Sequence, residues 1–141
     1  MPEPMVAPYG SWKSPITSDL IVAGSVSLSE IVIDGDEIYW IEMRPSEGGR
    51  NVVVRRTREG NIADVTPEPY NVRTRVHEYG GGAYTVSDGV IYFSNFLDQG
   101  LYRHEFGSDP QVLALGANMR YADAAIDRAR GRMVCVREDH A

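Results

Sequence analysis

Hydrophobic and polar residues alternate along most of the chain after residue 25, which is the pattern of half-buried β-strands. Two pairs of such runs are joined by Asp-Gly, in E-I-V-I-D-G-D-E-I-Y-W-I at Asp34-Gly35 and in A-Y-T-V-S-D-G-V-I-Y-F at Asp88-Gly89. Asp-Gly in this position predicts a hairpin, because both central residues of a type I′ turn need positive φ. A third pair has a longer turn that closes at Gly131. The chain is therefore predicted to be all-β.

The likeness between the first two hairpins continues after them. The first is followed by R-N-V-V-V-R-R-T and N-I-A-D-V-T, and the second by G-L-Y-R-H-E-F and P-Q-V-L-A-L. Each unit therefore predicts four short antiparallel strands, with turns at Gly48-Gly49, Gly60, Gly100 and Gly107. The apolar trios that begin at Ile38, Ile91 and Met133 lie about 53 and 42 residues apart. A four-stranded unit that repeats every ~40–50 residues is typical of the blades of a β-propeller.

This pattern divides the chain into an N-terminal arm, residues 1–25, and a partial β-propeller, residues 26–141. The arm is expected to be extended and to end in a short helix capped by Thr17 or Ser18. Blades are expected at about 26–70 and 79–116, with an incomplete one at about 120–141. About two and a half blades leave apolar faces and strand edges uncovered, since blades bury their faces against one another. We therefore expect either self-association or, as the favoured alternative, a piece of a longer polypeptide.

Charge and hydropathy narrow the set of partners. The formal net charge is −6, which disfavours binding to nucleic acid and to anionic lipid. The sequence shows no signal-peptide pattern and no apolar run near the ~18–20 residues of a membrane span, so we expect a soluble cytoplasmic protein. The stretch R-N-V-V-V-R-R-T-R is a local basic exception. We interpret it as a strand with solvated edges, because charged residues commonly guard exposed strands.

The stretch R-V-H-E-Y-G-G-G-A-Y, from Arg75 to Tyr84, is the main candidate for chemistry. A dinucleotide-binding loop needs G-x-G-x-x-G at the start of a helix, and a phosphate-binding P-loop needs Gly-Lys-Ser/Thr. Here a strand-like A-Y-T-V follows the glycines. We predict a structural bend, where backbone passes close to other backbone and enters the innermost strand of the second blade.

The remaining patterns for catalysis and metal binding fail. H-E-Y-G-G is not H-E-x-x-H, and the other histidines, His104 and His140, have no partner at metal-ligand spacing. Cys135 fits a buried strand face, and no activating base can be placed beside it. The nucleophile elbow G-x-S-x-G does not occur. We therefore predict no catalytic, cofactor-binding or metal-binding residue in this chain.

Three segments in order, Y-G-S-W-K-S-P-I-T, R-T-R-V-H-E-Y-G-G-G-A-Y and R-Y-A-D…V-R-E-D-H, resemble the prolyl oligopeptidase family. The nearest likeness is to its acylaminoacyl-peptidase or dipeptidyl-aminopeptidase-like branch, over essentially the whole chain. Members are serine peptidases in which an N-terminal β-propeller, usually seven-bladed, caps a C-terminal α/β-hydrolase domain that carries Ser, Asp and His. The resemblance places this chain at the start of the propeller and transfers no catalytic residue to it.

The resemblance implies a substrate-gating cap that admits short peptides, is inactive alone, and has the C-terminal hydrolase domain of the same parent chain as its partner. In that arrangement the arm around Trp12 reaches toward the hydrolase domain, and Arg73, Arg75, His77 and Glu78 face the domain interface. The alternative function is a stand-alone binding module that completes its propeller by oligomerising. A small free-standing enzyme is disfavoured, because every reactive-site pattern fails.

Overall fold

A computed structural model describes residues 6–11, 13–22 and 24–141 of the chain. The described part contains one short helix, α1 (Ser18–Val22), and ten strands. The strands are β1 (Ser27–Asp34), β2 (Glu37–Arg44), β3 (Arg50–Arg56), β4 (Ile62–Asp64), β5 (Tyr84–Ser87), β6 (Val90–Ser94), β7 (Leu101–Glu105), β8 (Gln111–Ala114), β9 (Met119–Asp127) and β10 (Arg132–Asp139). Short 3₁₀ turns at Pro45–Glu47 and Arg128–Arg130 join two of the strand pairs.

The strands form three antiparallel sheets in chain order. The first sheet has the order β1-β2-β3-β4, the second β5-β6-β7-β8, and the third consists of β9 and β10. The chain is therefore all-β, and its first two sheets are four-stranded blades of a partial β-propeller, as the repeat predicted. The number of blades in a closed ring and the domain boundaries stay predictions. No helix in residues 6–11, 13–22 and 24–141 has the length and apolar character that a membrane crossing requires.

The arm ends in the predicted helix. The side chain of Thr17 accepts a hydrogen bond from Leu20 N at 3.1 Å, so Thr17 is the capping residue. Such a bond satisfies one of the backbone donors that every helix leaves unpaired at its start. The helix is only five residues long and leaves Leu20 and Ile21 exposed. Its own contacts with the blades are therefore few.

The core lies where the first two sheets face each other. Ile91 and Phe93 of β6 are fully buried against this interface. Tyr70, which belongs to the connection between the two sheets, packs edge-on against Phe93 and Tyr102 with ring centroids 5.7 and 5.2 Å apart. The remaining core comprises Tyr39, Ile41, Val53, Val65, Val72, Ala83, Tyr84 and Val86. Such sheet-on-sheet burial is the main stabilising contribution available to a propeller blade.

The arginine-rich stretch forms a strand, as predicted, but the strand is not an exposed edge of its sheet, so that part of the interpretation was wrong. β3 is paired on both sides, with β2 and with β4. Arg50 pairs with Glu47 at 2.6 Å, and the guanidinium of Arg55 lies 4.4 Å from the centre of the Phe106 ring. Arginine can occupy an interior strand because its apolar stem covers neighbouring side chains while its charged end finds an ion pair or an aromatic face.

The three predicted hairpins lie together at one end of the sheets. The carboxylate of Asp34, at the end of β1, accepts hydrogen bonds from Gly89 N at 2.7 Å and from Arg128 Nη2 at 2.9 Å. Gly89 belongs to the turn after β5, and Arg128 to the turn after β9. One side chain that is 12% exposed therefore joins all three hairpins. We call this end of the sheets the hairpin face.

The turns themselves differ in detail from the prediction. In the second hairpin Asp88 and Gly89 are the two turn residues and both have positive φ, 54° and 74°, as in a type I′ turn. In the first hairpin Asp34 still pairs in the strand, the turn residues are Gly35 and Asp36, and only Gly35 has positive φ. This is the pattern of a type II′ turn. The shift keeps Asp34 in the strand, where its carboxylate reaches the neighbouring hairpins.

Both ends of the stack of sheets leave apolar side chains exposed. On the first sheet, Leu28, Ile31 and Ile33 of β1 are 65%, 72% and 71% exposed. At the other end Val134 of β10 is 60% exposed, and β10 pairs only with β9. Contiguous apolar surface of this kind normally marks an interaction site.

We expect Asp34→Asn to lower the free energy of unfolding by about 1–2 kcal/mol at pH 7, because it removes the charge that holds the hairpins together. Burial alone would raise the pKa of Asp34, but hydrogen bonds from the Gly89 and Asp88 backbone and from Arg128 outweigh burial and lower the pKa. Because the pKa of Asp34 is lower in the folded state, its charged carboxylate stabilises the fold at pH values above the unfolded pKa of 3.8. This stabilisation disappears as the pH falls through the folded pKa.

Urea unfolding at pH 7 and at pH 3 measures both effects. Asp36→Asn is the matched control, since Asp36 is 70% exposed and pairs only with the exposed Arg58 among the described residues. The control is expected to change stability by less than about 0.5 kcal/mol. Equal losses in the two variants, or a loss in Asp34→Asn that does not shrink at pH 3, would contradict the role assigned to Asp34.

Candidate functional site

The connections between strands alternate between the two ends of the sheets, and the connection 65–83, which is longer than any other between the described strands, lies opposite the hairpins. This second end, which we call the loop face, is formed by residues 45–49, 65–83, 95–100 and 115–118. The largest of these connections, residues 65–83, links the first sheet to the second and contains the candidate residues. β1 also begins at the loop face, because it ends at the hairpin face. The N-terminal arm therefore joins the blades on the same side as the candidate residues.

Residues 72–77 run between the first two sheets and alternate between buried and exposed side chains. Val72 N donates to Asn51 O at 2.9 Å, and Arg73 N donates to Ser94 O at 3.0 Å, so the segment is held by both sheets. Val72, Thr74 and Val76 are buried, whereas Arg73, Arg75 and His77 are exposed. The period of two over residues 72–75 is that of extended backbone, and it places Arg73 and Arg75 on the same side of the segment. His77 lies in the turn that follows, where Glu78 N donates to Arg75 O at 3.1 Å.

Arg73 and Arg75 share one aromatic partner. Their guanidinium carbons lie 4.9 and 4.5 Å from the centre of the Phe96 ring, which is within the range of a cation–π interaction. The structure shows no ion pair for either arginine among the described residues. Phe96 follows β6 and is fixed by a hydrogen bond from its own N–H to Asn71 O at 2.8 Å. The two charged groups are thus held in place by stacking and keep their N–H groups for other acceptors.

His77 and Glu78 bind the third sheet. Both have positive φ, 58° and 60°. His77 N donates to Glu138 Oε1 of β10 at 2.9 Å, and Arg120 of β9 donates to Glu78 Oε1 at 2.8 Å. Hydrogen bonds from His140 and from His77 N, opposed by burial, lower the pKa of Glu138. These two residues therefore hold the connection against the third sheet, as well as lying at the loop face.

The glycine run forms the predicted bend, but the space around the glycines is restricted mainly by a side chain rather than by backbone. A Cβ on Gly81 or Gly82 would lie 2.9 Å from a carboxylate oxygen of Asp123 in β9. Gly82 N donates to Asp123 Oδ1 at 2.7 Å, and Asp123 N donates to Gly82 O at 2.9 Å. Only Gly80 has positive φ, 97°, and its Cβ position lies 3.5 Å from Thr74 O. Glycines are thus needed at 81 and 82 because a carboxylate occupies the space of a side chain.

A second carboxylate approaches the same bend from the first sheet. Glu30 Oε2 accepts a hydrogen bond from Ala83 N at 2.9 Å, and Glu30 O accepts one from the hydroxyl of Tyr84 at 2.6 Å. Burial raises the pKa of Glu30, and the negative charge of Asp123 adds to this, against the lowering effect of the backbone hydrogen bonds. The strand that begins the second sheet is therefore held by one carboxylate from each neighbouring sheet.

Glu30 and Asp123 were not predicted from the sequence, although a signal exists. Each lies four residues before the aspartate that ends its strand, in E-I-V-I-D and D-A-A-I-D. Both have positive φ, 49° and 54°, at irregularities in β1 and β9. The repeat of an acidic residue at this spacing would have indicated equivalent positions in the first and third sheets; the second sheet has Tyr84 at that position.

A pocket of about 560 Å³ opens beside this bend. It is bounded by Ser29, Glu30, Asn51, Arg73, Tyr79 and Gly81, among others. An acidic group and a basic group thus face one space. No group of three or more His, Cys, Asp or Glu side chains gathers as a metal site in the described ranges. Cys135 is half-buried and burial raises the pKa of its thiol, so it is not an activated nucleophile.

The structure brings Arg73, Arg75, His77 and Glu78 together at the loop face. Their role at a domain interface stays a prediction. Trp12, the fifth predicted residue, lies outside the described residues.

We expect the stability of Glu30→Gln relative to the native chain to be higher at pH 7 than at pH 4. The pKa of Glu30 in the folded chain is raised above 4.5, so folding favours the protonated carboxyl group. The protonated group therefore makes its full contribution to the stability of the native chain below pH 4.5, and this contribution is lost as the pH rises through the folded pKa. Glutamine keeps an acceptor for Ala83 N and is neutral throughout. Thermal unfolding at the two pH values measures the difference, and Glu30→Ala, which lacks the acceptor, is expected to be destabilised at both. A difference independent of pH would contradict the assignment.

Comparison with known proteins identifies close structural matches. The chain is similar to a puromycin-hydrolyzing peptidase of Mycobacterium tuberculosis, with a TM-score of 0.80 and 38% sequence identity over 96% of this chain and 22% of that one. It is also similar to puromycin hydrolase, with a TM-score of 0.76 and 36% identity over 90% of this chain and 21% of that one. A mutant of puromycin hydrolase complexed with PGG gives the same values as the latter. No protein-family model and no curated protein matches the chain.

The chain spans about a fifth of the length of the solved structures that it matches. The match is to the propeller that stands at the N-terminal side of those peptidases, and it extends over nearly all of this chain. These similarities confirm the resemblance found in the sequence. The chain belongs to the prolyl oligopeptidase family and corresponds to the N-terminal propeller portion of the matched structures.

Proposed function

We propose that this chain forms part of a cap that covers a C-terminal α/β-hydrolase domain and restricts its substrates to short peptides. The observation that carries the proposal is the match of at least 90% of the chain to about a fifth of puromycin-hydrolysing peptidases. The sequence contains no G-x-S-x-G nucleophile elbow, and burial raises the pKa of the Cys135 thiol. The chain is therefore inactive by itself in this proposal, and the reaction takes place in the partner domain.

The loop face is the side on which we place that domain. The N-terminal arm enters the blades there, and so do the connections that carry Arg73, Arg75 and His77. The hairpin face offers less for docking, because its central carboxylate, Asp34, is already bound by Gly89 and Arg128. Unpaired arginines on the loop face supply the charged, hydrogen-bonding surface that an interface between domains uses.

The proposed chemistry is peptide hydrolysis by a serine that a histidine and an aspartate activate, all three in the hydrolase domain. The relatives are named for the hydrolysis of puromycin, and we propose small substrates of this kind together with short peptides. The contribution of the propeller is steric, because a covered cavity admits only molecules that can pass through a narrow opening. The cytoplasmic location expected from the sequence stays part of this proposal.

The coding sequence beyond Ala141 tests the proposal first. It is expected to encode further blades and then a G-x-S-x-G segment at a strand-to-helix turn. The full polypeptide is expected to cleave short peptides and puromycin and to leave folded proteins intact, while residues 1–141 alone cleave neither. Cleavage of an amide bond by residues 1–141 alone would overturn the proposal.

In the full enzyme we expect Arg73→Ala combined with His77→Ala to weaken the discrimination between short and long substrates. The ratio of kcat/KM for a tripeptide to that for a peptide of about 30 residues should fall by about fivefold to tenfold, because a loosened cap leaves a wider opening. Arg58→Ala is the matched control, since Arg58 is 77% exposed near the hairpin face and pairs with Asp36. If the double variant keeps its tripeptide activity and the ratio is unchanged, Arg73 and His77 have no part in restricting substrate size.

The exposed apolar faces support a second candidate, a stand-alone binding module that is completed by oligomerisation. Ile31 and Ile33 on the first sheet, with Val134 on the third, would then be covered by further copies. Light scattering distinguishes the two functions. A discrete ring of defined mass supports the module, and Ile31→Lys should break it into smaller species. Undefined aggregation of the wild-type chain supports the peptidase cap.

A further inference from the structure

A second concave site on the loop face has the chemistry to bind a carboxylate. It is a pocket of about 320 Å³ between the connections 95–100 and 115–118. The polar side chains that line it are Arg75, Arg120, Gln99, Asn118, Asp98 and His140. Two guanidinium groups and two amides, with one carboxylate and one imidazole, thus face a space that suits one or two residues of a peptide. The apolar side chains at the rim, of which Leu97 is 86% exposed, lie beside these polar groups.

Arg75 is held in place by contacts that do not use its guanidinium N–H groups. Its backbone N–H donates to Gln99 Oε1 at 2.8 Å, and its carbonyl oxygen accepts from Arg120 Nη1 at 2.8 Å. Its guanidinium rests on the Phe96 ring at 4.5 Å. Gln99 itself donates to Phe96 O at 2.8 Å, which ties the arginine and its aromatic support into one rigid unit. A donor fixed in advance loses little entropy when it binds a ligand.

The acidic residues nearby do not neutralise Arg75. Asp98, which lines the pocket, uses Oδ1 to accept from Asn95 Nδ2 and Gly100 N, both at 3.0 Å, and uses Oδ2 to accept from Tyr102. Glu138 is bound by His77 and His140. Arg120 makes both of its contacts, with Glu78 and with Arg75 O, through the single nitrogen Nη1. Donors of both arginines therefore lack an acceptor among the described residues.

We propose that this pocket binds the C-terminal carboxylate of a peptide, with Arg75 as its main anchor and Arg120 beside it. A planar guanidinium matches a carboxylate through two parallel hydrogen bonds, and such charge-assisted pairs are the stronger hydrogen bonds of proteins. The rim formed by Leu97, Ala117 and Met119 accepts the apolar side chain of the terminal residue. The choice of a peptide as ligand rests on the proposed function, whereas the choice of a carboxylate rests on the geometry of the pocket.

Fluorescence anisotropy of a tripeptide with an N-terminal dye tests the proposal on residues 1–141. The anisotropy of the dye rises when the peptide binds, whether residues 1–141 are a monomer or an assembly. The probes are Ala-Ala-Leu with a free C-terminal carboxylate, the same peptide as the C-terminal amide, and Ala-Glu-Leu amide. The free acid is expected to bind at least about tenfold more tightly than either amide. Arg75→Gln should weaken binding of the free acid by at least about tenfold, and Arg75→Lys by a smaller factor, because lysine keeps the charge but not the two parallel bonds.

Arg58→Gln, an arginine variant near the hairpin face, serves as the control and should leave binding unchanged. Far-UV circular dichroism checks that each variant keeps its strands. Equal binding of the acid and its amide, or unchanged binding in folded Arg75→Gln, would overturn the proposal. Binding of Ala-Glu-Leu amide as tightly as the free acid would also overturn it, in favour of an acidic side chain from a partner domain. Size discrimination by the full enzyme is measured separately, so failure of this test leaves the gating function standing.

Discussion

The packing of the first two sheets against each other is the constraint on which the rest of the structure depends. A twisted four-stranded sheet has two faces, and it becomes stable only when neighbours cover them. Here Phe93, Ile91 and Val53 have no exposed surface, and the connection from one sheet to the next runs between the sheets rather than around them. The alternation of residues 72–77 follows directly, because buried Val72, Thr74 and Val76 leave the intervening basic side chains no place except the loop face.

Carboxylates then fix how the sheets are placed relative to one another. Apolar packing alone is tolerant of small shifts, whereas a hydrogen bond between a charged oxygen and a backbone N–H has a defined length and direction. Glu30 and Asp123 reach the strand that begins the second sheet from opposite sides, and Asp34 joins the hairpins at the far end. The contacts at the two ends of the sheets therefore act together against sliding and rotation. Placing Glu30 there opposes its ionisation: burial, with a smaller contribution from the negative charge of Asp123, raises its pKa.

The all-β class, the repeat and the hairpins could be predicted because they depend on local patterns. Asp88-Gly89 forms the type I′ turn that its dipeptide favours. Asp34-Gly35 has the same dipeptide but a different turn, and its carboxylate is bound by residues 55 and 94 positions away, which no local pattern predicts. The glycine run was predicted as a bend, yet its cause is Asp123, which comes 41 positions after Gly82. Arg75 was selected from its motif, while its support by Phe96 and Gln99 became visible only in the fold.

The polar groups at the two ends of the blades differ in how much hydrogen-bonding capacity remains for another molecule. At the hairpin face the turns between inner strands are short, and Arg128 and Asp34 satisfy each other and the adjacent turns. At the loop face the connections carry the guanidinium groups of Arg73 and Arg75, which rest on an aromatic ring instead of a carboxylate. A guanidinium in an ion pair has fewer N–H groups left for another acceptor, whereas a stacked arginine keeps its hydrogen-bonding edge free. The loop face therefore keeps hydrogen-bonding capacity in Arg73 and Arg75, while the hairpin face holds the blades together.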